Sequence, residues 1–181
     1  MLRRPKKAKG FTLIELLIVV AIIGILAALL IPNAITAMQR ARQKGTQKEM
    51  VSIATSLADY TVDNGSAPAW DGSAYTNTSS IYTSLVPFYV KGLPSTDQWG
   101  HDFVIHSGSS WSAAWLGMTP TTGATDEFGV GSPGKNTTYS YDYSSTGVYF
   151  YQINSLDDFD NDLVMWNGNW VCAPRTTTAG S

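Results

Sequence analysis

Between Phe11 and Ile31 the chain is apolar at almost every position, broken only by Thr12 and by one carboxylate, Glu15. Read as a helix, these 21 residues span about 31 Å, enough to cross a hydrocarbon core of roughly 30 Å. Beyond Pro32 polar residues enter, and the apolar positions narrow to a stripe. Met50, Ile53, Ala54, Leu57, Tyr60 and Thr61 fall at i, i+3 and i+4 spacings, while Lys44, Lys48, Glu49, Asp59 and Asp63 mostly lie off that stripe. Asn64-Gly65 supplies a C-cap and Pro68 prevents the helix from resuming. The pattern predicts one helix over residues 11–64, about 80 Å long. Its first half is apolar all round and suits a membrane, and its second half is one-sided and suits packing on a globular head. Gly24 and Pro32 are its weak points, because proline removes a backbone hydrogen bond and crowds the preceding turn.

After the helix the period changes. Residues 65–80 read as a Ser/Thr/Asn/Gly-rich loop, and Ile81–Val90 as a short apolar element with a helical turn around Tyr82–Leu85. Strand-like runs then alternate with turn-rich stretches: Phe103–His106, Trp111–Leu116, Tyr139–Tyr143, Val148–Ile153, Leu163–Trp166 and Trp170–Cys172. This spacing predicts an antiparallel sheet of about four strands. The Gly/Thr/Ser stretch 117–138 reads as an exposed insertion, a tip or contact loop. The fold class is α+β: a long N-terminal α-helix packed on a small antiparallel β-sheet head. Three regions follow: a leader over 1–10, the long helix over 11–64 with an apolar half at 11–31, and a head over 65–181.

Charge sets the orientation. Arg3, Arg4, Lys6, Lys7 and Lys9 precede the span and hold its start in the cytoplasm, so the remainder is exported. Arg40, Arg42, Lys44 and Lys48 follow the span and weaken a simple charge rule, but the leader is denser and comes first. A secretory signal has a shorter apolar core followed by a small-residue cleavage site. Here the small residue, Gly10, lies ahead of the apolar run, so a cut there leaves the span on the mature chain. Losing five positive charges takes the formal charge from −2 to −7. Beyond Asn64, ten acids face only Lys91, Lys135 and Arg175, a balance that argues against nucleic-acid binding. The cluster Arg40–Lys48 reads as a solvated helix stripe or a contact with lipid headgroups. The single cysteine, Cys172, forms no disulfide within the chain, so the head is held by other means.

Glu15 is costly in a span, since an acid at a helix centre carries roughly 2.5–3.5 kcal/mol on insertion scales and less near the interface. The residues Gly10-Phe11-Thr12-Leu13-Ile14-Glu15, with Pro32, resemble the type IV pilin and pseudopilin family, whose precursors carry a short basic leader ending in Gly before Phe-Thr-Leu-Ile-Glu. The resemblance covers about the first 40 residues. It implies cleavage between Gly10 and Phe11 and N-methylation of the new amine by a membrane prepilin peptidase. It also implies assembly into a helical homo-oligomeric filament, in which Glu15 pairs with the N-terminal amine of a neighbouring subunit. The implied partners are an inner-membrane assembly platform and minor pilins or pseudopilins. The implied location is the bacterial inner membrane, single-pass with an exported head, and then a periplasmic or surface filament. Electrostatics agrees, because an ammonium at a helix N-terminus is disfavoured and a carboxylate in low dielectric neutralises it. The competing arrangement pairs Glu15 with its own Phe11 amine, four residues back on the same face.

One stretch looks like a binding site. Asp157-Asp158-Phe159-Asp160-Asn161-Asp162 puts four carboxylates in six residues, and hard oxygen donors suit Ca²⁺. Asp158, Asp160 and Asp162 match the first three EF-hand positions, but Leu163 stands where glycine is required and Asn169 where the closing acid belongs. A solvated acidic turn is the plainer reading. Asp97-Gln98-Trp99-Gly100 with Phe103 resembles a segment of the major pseudopilins of type II secretion systems. Ser145-Thr146-Gly147, Asn161-Asp162-Leu163 and Asn169-Trp170 resemble their C-terminal pattern, which implies a Ca²⁺-binding loop in place of a disulfide. Gln98 and Asn161 depart from that pattern. No catalytic set is visible: His101 and His106 are the only histidines, and no nucleophile or phosphate-loop motif is present. Trp111, Trp115, Trp166 and Trp170 suit either a core or a carbohydrate-binding face. The sequence therefore reads as a filament subunit, a type II secretion pseudopilin or a type IV pilus major pilin for adhesion, motility or DNA uptake. A membrane-tethered binding module and a tethered hydrolase are the readings from other classes.

Overall fold

A computed structural model describes residues 10–140, 142–143 and 147–175. The basic leader positions before Gly10, Tyr141 of the expected strand Tyr139–Tyr143, and Ser145-Thr146 of the C-terminal resemblance lie outside the described residues. The chain forms two compact units that meet between Met38 and Gln39.

The helix α1 runs over Leu13–Asn64 and contributes to both units. In the first unit every large apolar side chain from Leu13 to Ile31 is exposed, so this stretch needs lipid or other protein around it. It is the one helix among the described residues long and apolar enough to cross a membrane. The helix is continuous through Gly24 and Pro32. Around the proline, side chains supply extra bonds to the backbone: Asn33 Nδ2 donates to the Leu29 carbonyl at 3.2 Å and Thr36 Oγ1 to the Pro32 carbonyl at 3.1 Å. At the far end Gly65, with φ of 73°, donates its N–H to the Thr61 carbonyl at 2.8 Å, the expected glycine C-cap.

In the second unit the stripe of α1 lies on a sheet of six strands. They are β1 (Trp70–Asp71), β2 (Val104–Ser107), β3 (Phe128–Ser132), β4 (Tyr149–Tyr151), β5 (Leu163–Trp166) and β6 (Asn169–Pro174), in the spatial order β1-β2-β3-β5-β6-β4. All neighbours are antiparallel except β4 and β6, which run parallel with Tyr149 opposite Cys172. A short helix α2, Ser80–Leu85, supplies Ile81 and Leu85 to the core.

Alternation sorts the strands' two faces. Ile105 of β2, Phe128 and Val130 of β3, and Leu163 and Met165 of β5 join Met50, Ile53 and Leu57 of α1 in the main core. Each such fully buried side chain contributes about 1.5–3 kcal/mol. The opposite positions, Val164 and Cys172, join Tyr143 and Tyr151 in a second cluster.

Against expectation, Tyr139, Ser140, Asp142 and Tyr143 lie in no strand. Two further expectations are corrected. The stretch 117–138 is not simply an exposed insertion, because it contains β3, whose five residues are all buried. Trp111–Leu116 is not a strand: a 3₁₀ turn at Gly108–Ser110 precedes an irregular segment closed by a single bridge between Trp115 and Met118. Both deviations have one cause. The large rings of that irregular segment lie over Gly129 and Gly131 of β3, where a Cβ would meet the Trp115 ring at 2.9 and 2.7 Å. The strand supplies the floor and the preceding loop supplies the side chains.

Candidate functional site

At the N-terminus the sequence itself builds a helix cap. Thr12 precedes the first helical residue, and Glu15 sits three positions on. The Thr12 N–H and hydroxyl donate to Glu15 Oε2 at 2.8 and 2.7 Å, while the Glu15 N–H reaches Thr12 Oγ1 at 3.3 Å. This is a capping box, in which two backbone donors that the helix leaves unsatisfied are answered reciprocally. The Thr-x-x-Glu spacing was a readable signal for it. Glu15 thus has a role in the uncut chain, beside Phe11, which is 79% exposed, and Gly10, whose surroundings are open. Cleavage between those two residues would place an ammonium within one helical turn of a carboxylate already held at the helix end.

The segment Asp97–Gly100 is the fastening of the head. Asp97 is buried; its Oδ1 accepts the N–H groups of Trp99 and His101, both at 2.9 Å, and its Oδ2 accepts the Ser132 hydroxyl at 2.7 Å. Gly100, at φ of 92°, closes the turn. From the turn three bonds reach α1. The Trp99 indole N–H donates to Gln39 Oε1 at 2.8 Å, the Gln98 N–H to Thr46 Oγ1 at 3.1 Å, and Gln98 Nε2 to Glu49 Oε1 at 2.6 Å. Burial raises the Glu49 carboxyl above its ordinary range, against the lowering effect of Gln98. The residue that departs from the pseudopilin pattern, Gln98, therefore has its own work in this chain. Thr46, Gln39 and Ser132 were not legible as the partners of Gln98, Trp99 and Asp97, since they lie 52, 60 and 35 residues away in sequence.

The acidic stretch does not form one donor set. Asp158 Oδ2 accepts the N–H groups of Asn154 and Ser155 at 2.8 and 2.7 Å, which holds its carboxyl below the ordinary range. Asp160 faces the Lys135 ammonium at 3.3 Å. Asp162 is fully buried and accepts the Ser140 N–H at 3.0 Å. Among the described residues no three His, Cys, Asp or Glu side chains are grouped to hold a metal ion. Instead the turn after β3 closes this loop. The Lys135 N–H donates to the Phe159 carbonyl at 2.8 Å, Asn136 Nδ2 to the Asp160 carbonyl at 2.8 Å, and Lys135 Nζ to the Leu156 carbonyl at 3.5 Å.

The remaining candidates are structural in their settings. Trp111 packs against Trp166 with ring centroids 4.3 Å apart and planes tilted by 52°, and Trp115 packs on His106 at 5.0 Å and Tyr139 at 6.0 Å. These rings cover the strand glycines rather than forming a flat open platform. His106 sits in that cluster and is lowered by burial, whereas His101 Nδ1 lies 2.9 Å from the Gly134 carbonyl. Cys172 is buried, its thiol donates to the Asp162 carbonyl at 3.0 Å, and burial pushes that thiol up to about 12.

One long N-terminal helix, apolar in its first half and packed in its second on a six-stranded, mostly antiparallel sheet, defines the class as α+β. Residues 5–31 match the prokaryotic N-terminal methylation motif. The chain is 30% identical to the type II secretion system core protein G of Escherichia coli, over 58% of this chain and 75% of that one. The same core protein of Pseudomonas aeruginosa is 30% identical over 72% of this chain and 87% of its own. The type IV wide pilus major component PilA4 of Thermus thermophilus is 33% identical, over 65% and 86% of the two chains. No solved structure gives a significant match. The chain belongs to the type IV pilin and pseudopilin family.

Proposed function

We propose that this chain is the major pseudopilin of a type II secretion system, a structural and not an enzymatic protein. Its leader is removed between Gly10 and Phe11 by a prepilin peptidase, which also methylates the new amine. The product waits in the inner membrane on its apolar helix with the head exported. It then polymerises with an assembly platform and minor pseudopilins, Glu15 answering the amine of a neighbour. The observation that carries this reading is the extent of the likeness. It runs over 133 residues with the Pseudomonas core protein, far beyond the methylation motif at residues 5–31.

The test is deletion in the native host with complementation. Loss of the chain should trap an otherwise secreted enzyme in the periplasm. The wild-type chain should restore export, and Glu15→Ala should not, although it still inserts in the membrane. Mass spectrometry of the purified chain should find Phe11 as an N-methylated first residue. The likeness to the wide-pilus component supports a second reading, a surface pilin. Under that reading deletion removes surface fibres and leaves secretion intact.

A further inference from the structure

The second unit carries two exposed features of opposite charge, one low and one high along α1. The lower is a hollow of about 630 Å³ continued by another of about 230 Å³, between α1 and the edge formed by β4 and β6. Its floor is apolar: Val51 and Phe150 are 43% and 37% exposed, with Trp170 and Pro174 beside them. Its rim is cationic, with Arg40, Lys44 and Lys48 one turn apart along the helix and Arg175 opposite, and among the described residues no acid lines it. Arg175 lies over the Phe150 ring at 4.9 Å, so the charge is fixed beside the apolar floor.

The upper feature is a knob. Val62 and Phe88 are 83% and 81% exposed, among the most exposed large apolar side chains outside the membrane-type stretch. Asp59 and Asp63 flank them around the same shallow depression. Asp63 also interacts with the Tyr89 hydroxyl, whose ring is packed edge-on against Tyr60 and Phe88. Among the described residues no ion pair neutralises either feature. The two ion pairs among the described residues are His101–Asp97 and Lys135–Asp160.

Socket and knob match in kind and in spacing. Lys44 and Lys48 are separated by four residues on α1, and so are Asp59 and Asp63. Two neighbouring ion pairs can therefore form side by side when one helix lies along another, while Phe88 and Val62 meet the apolar floor. The features are different patches of one molecule, offset by roughly 22 Å along the helix. A contact between unlike patches is heterologous, and repetition of it generates an open helical polymer and not a closed dimer. We propose that the basic-aromatic groove at Arg40–Lys48 and Arg175 receives the acidic Asp59–Asp63 knob, with Phe88, of a second copy of this chain. The proposal rests on the filament reading and names the head-to-head contact that would repeat along the filament.

The experiment uses the full-length chain in its host, reading sheared filaments by electron microscopy against chain accumulation in the membrane. Lys44→Glu with Lys48→Glu, and separately Asp59→Lys with Asp63→Lys, set like charges across the contact and should each cut filament yield about tenfold or more. All four positions are exposed, so membrane accumulation should stay at the wild-type level. The chain with all four changes should assemble again, and so should a co-expressed mixture of the two double variants. In the mixture each groove again finds a knob of opposite sign. Normal assembly of either double variant, or failure of both rescues with all chains accumulating, overturns the proposal while leaving the filament reading in place. If the wild-type chain forms no filament, the filament reading itself fails. If the lysine variant assembles normally and instead loses binding to phosphatidylglycerol vesicles, the groove is a lipid site and the proposal is overturned.

Discussion

Glu15 has two separable jobs, and conservative substitution separates them. As a cap it needs only an acceptor oxygen three residues beyond Thr12, which glutamine also offers. As a counter-charge to a freed Phe11 amine it needs the negative charge. Glu15→Gln should therefore keep the helix start and membrane insertion and still fail to assemble, as Glu15→Ala does. Filaments at the wild-type level from Glu15→Gln would reduce the residue to a cap. A second residue-scale prediction concerns β3. Gly131→Ala drives a methyl to 2.7 Å from the Trp115 ring, and overpacking of this kind costs about 1–3 kcal/mol. Thermal unfolding of the chain in detergent micelles should report the loss, and Trp115→Leu in the same chain should recover part of it.

At the scale of elements, what was legible depended on whether a signal was local. The span of α1 and its end at Asn64-Gly65 could be read because the apolar stripe and the glycine cap lie in consecutive residues. Strands β2, β4, β5 and β6 each announced themselves by β-branched or aromatic runs. β3 did not, because Phe128-Gly129-Val130-Gly131-Ser132 alternates large residues with glycines inside a Gly/Thr/Ser stretch, and its outer face is filled by Trp115 from elsewhere in the chain. The Asp97 turn was readable as a motif, but its ties to Gln39, Thr46 and Ser132 were not. Removing that carboxylate leaves buried donors without partners, so Asp97→Ala should destabilise the head by about 3 kcal/mol. Asp97→Asn should cost less, because its amide oxygen still accepts. The helix makes one conditional prediction. Its continuity through Gly24 and Pro32 belongs to the single chain, and we expect the segment between them to unwind locally when subunits leave the bilayer for a filament. An unbroken helix over residues 24–32 in filament density would rule that out.

For the whole molecule the question is what closes an acidic head that has no disulfide. The buried clusters do most of it, and the loop at Asp157–Asp162 is tied down by hydrogen bonds to its carbonyls and by Lys135. Asp158 gives this closure a pH signature. Its carboxyl is held below the ordinary value of 3.8 by the N–H groups of Ser155 and Asn154. A group depressed in the folded state stabilises above its unfolded value and loses that contribution as pH falls through the folded one. The acid limb of an unfolding curve should thus be shallower in Asp158→Ala than in the wild type, with the two converging in strong acid. Calcium is the competing closure that the family resemblance implies. As placed, Asp160 is engaged by an ammonium and Asp158 by its own turn, so binding an ion requires at least one of them to be released. The expected outcome is that chelation leaves the midpoint of thermal unfolding of the wild-type chain unchanged, while Lys135→Met lowers it and makes it respond to added Ca²⁺. A midpoint that falls on chelation in the wild type, and no longer does so in Asp160→Ala or Asp162→Ala, would mean that the loop rearranges around the ion and that Lys135 does not take its place.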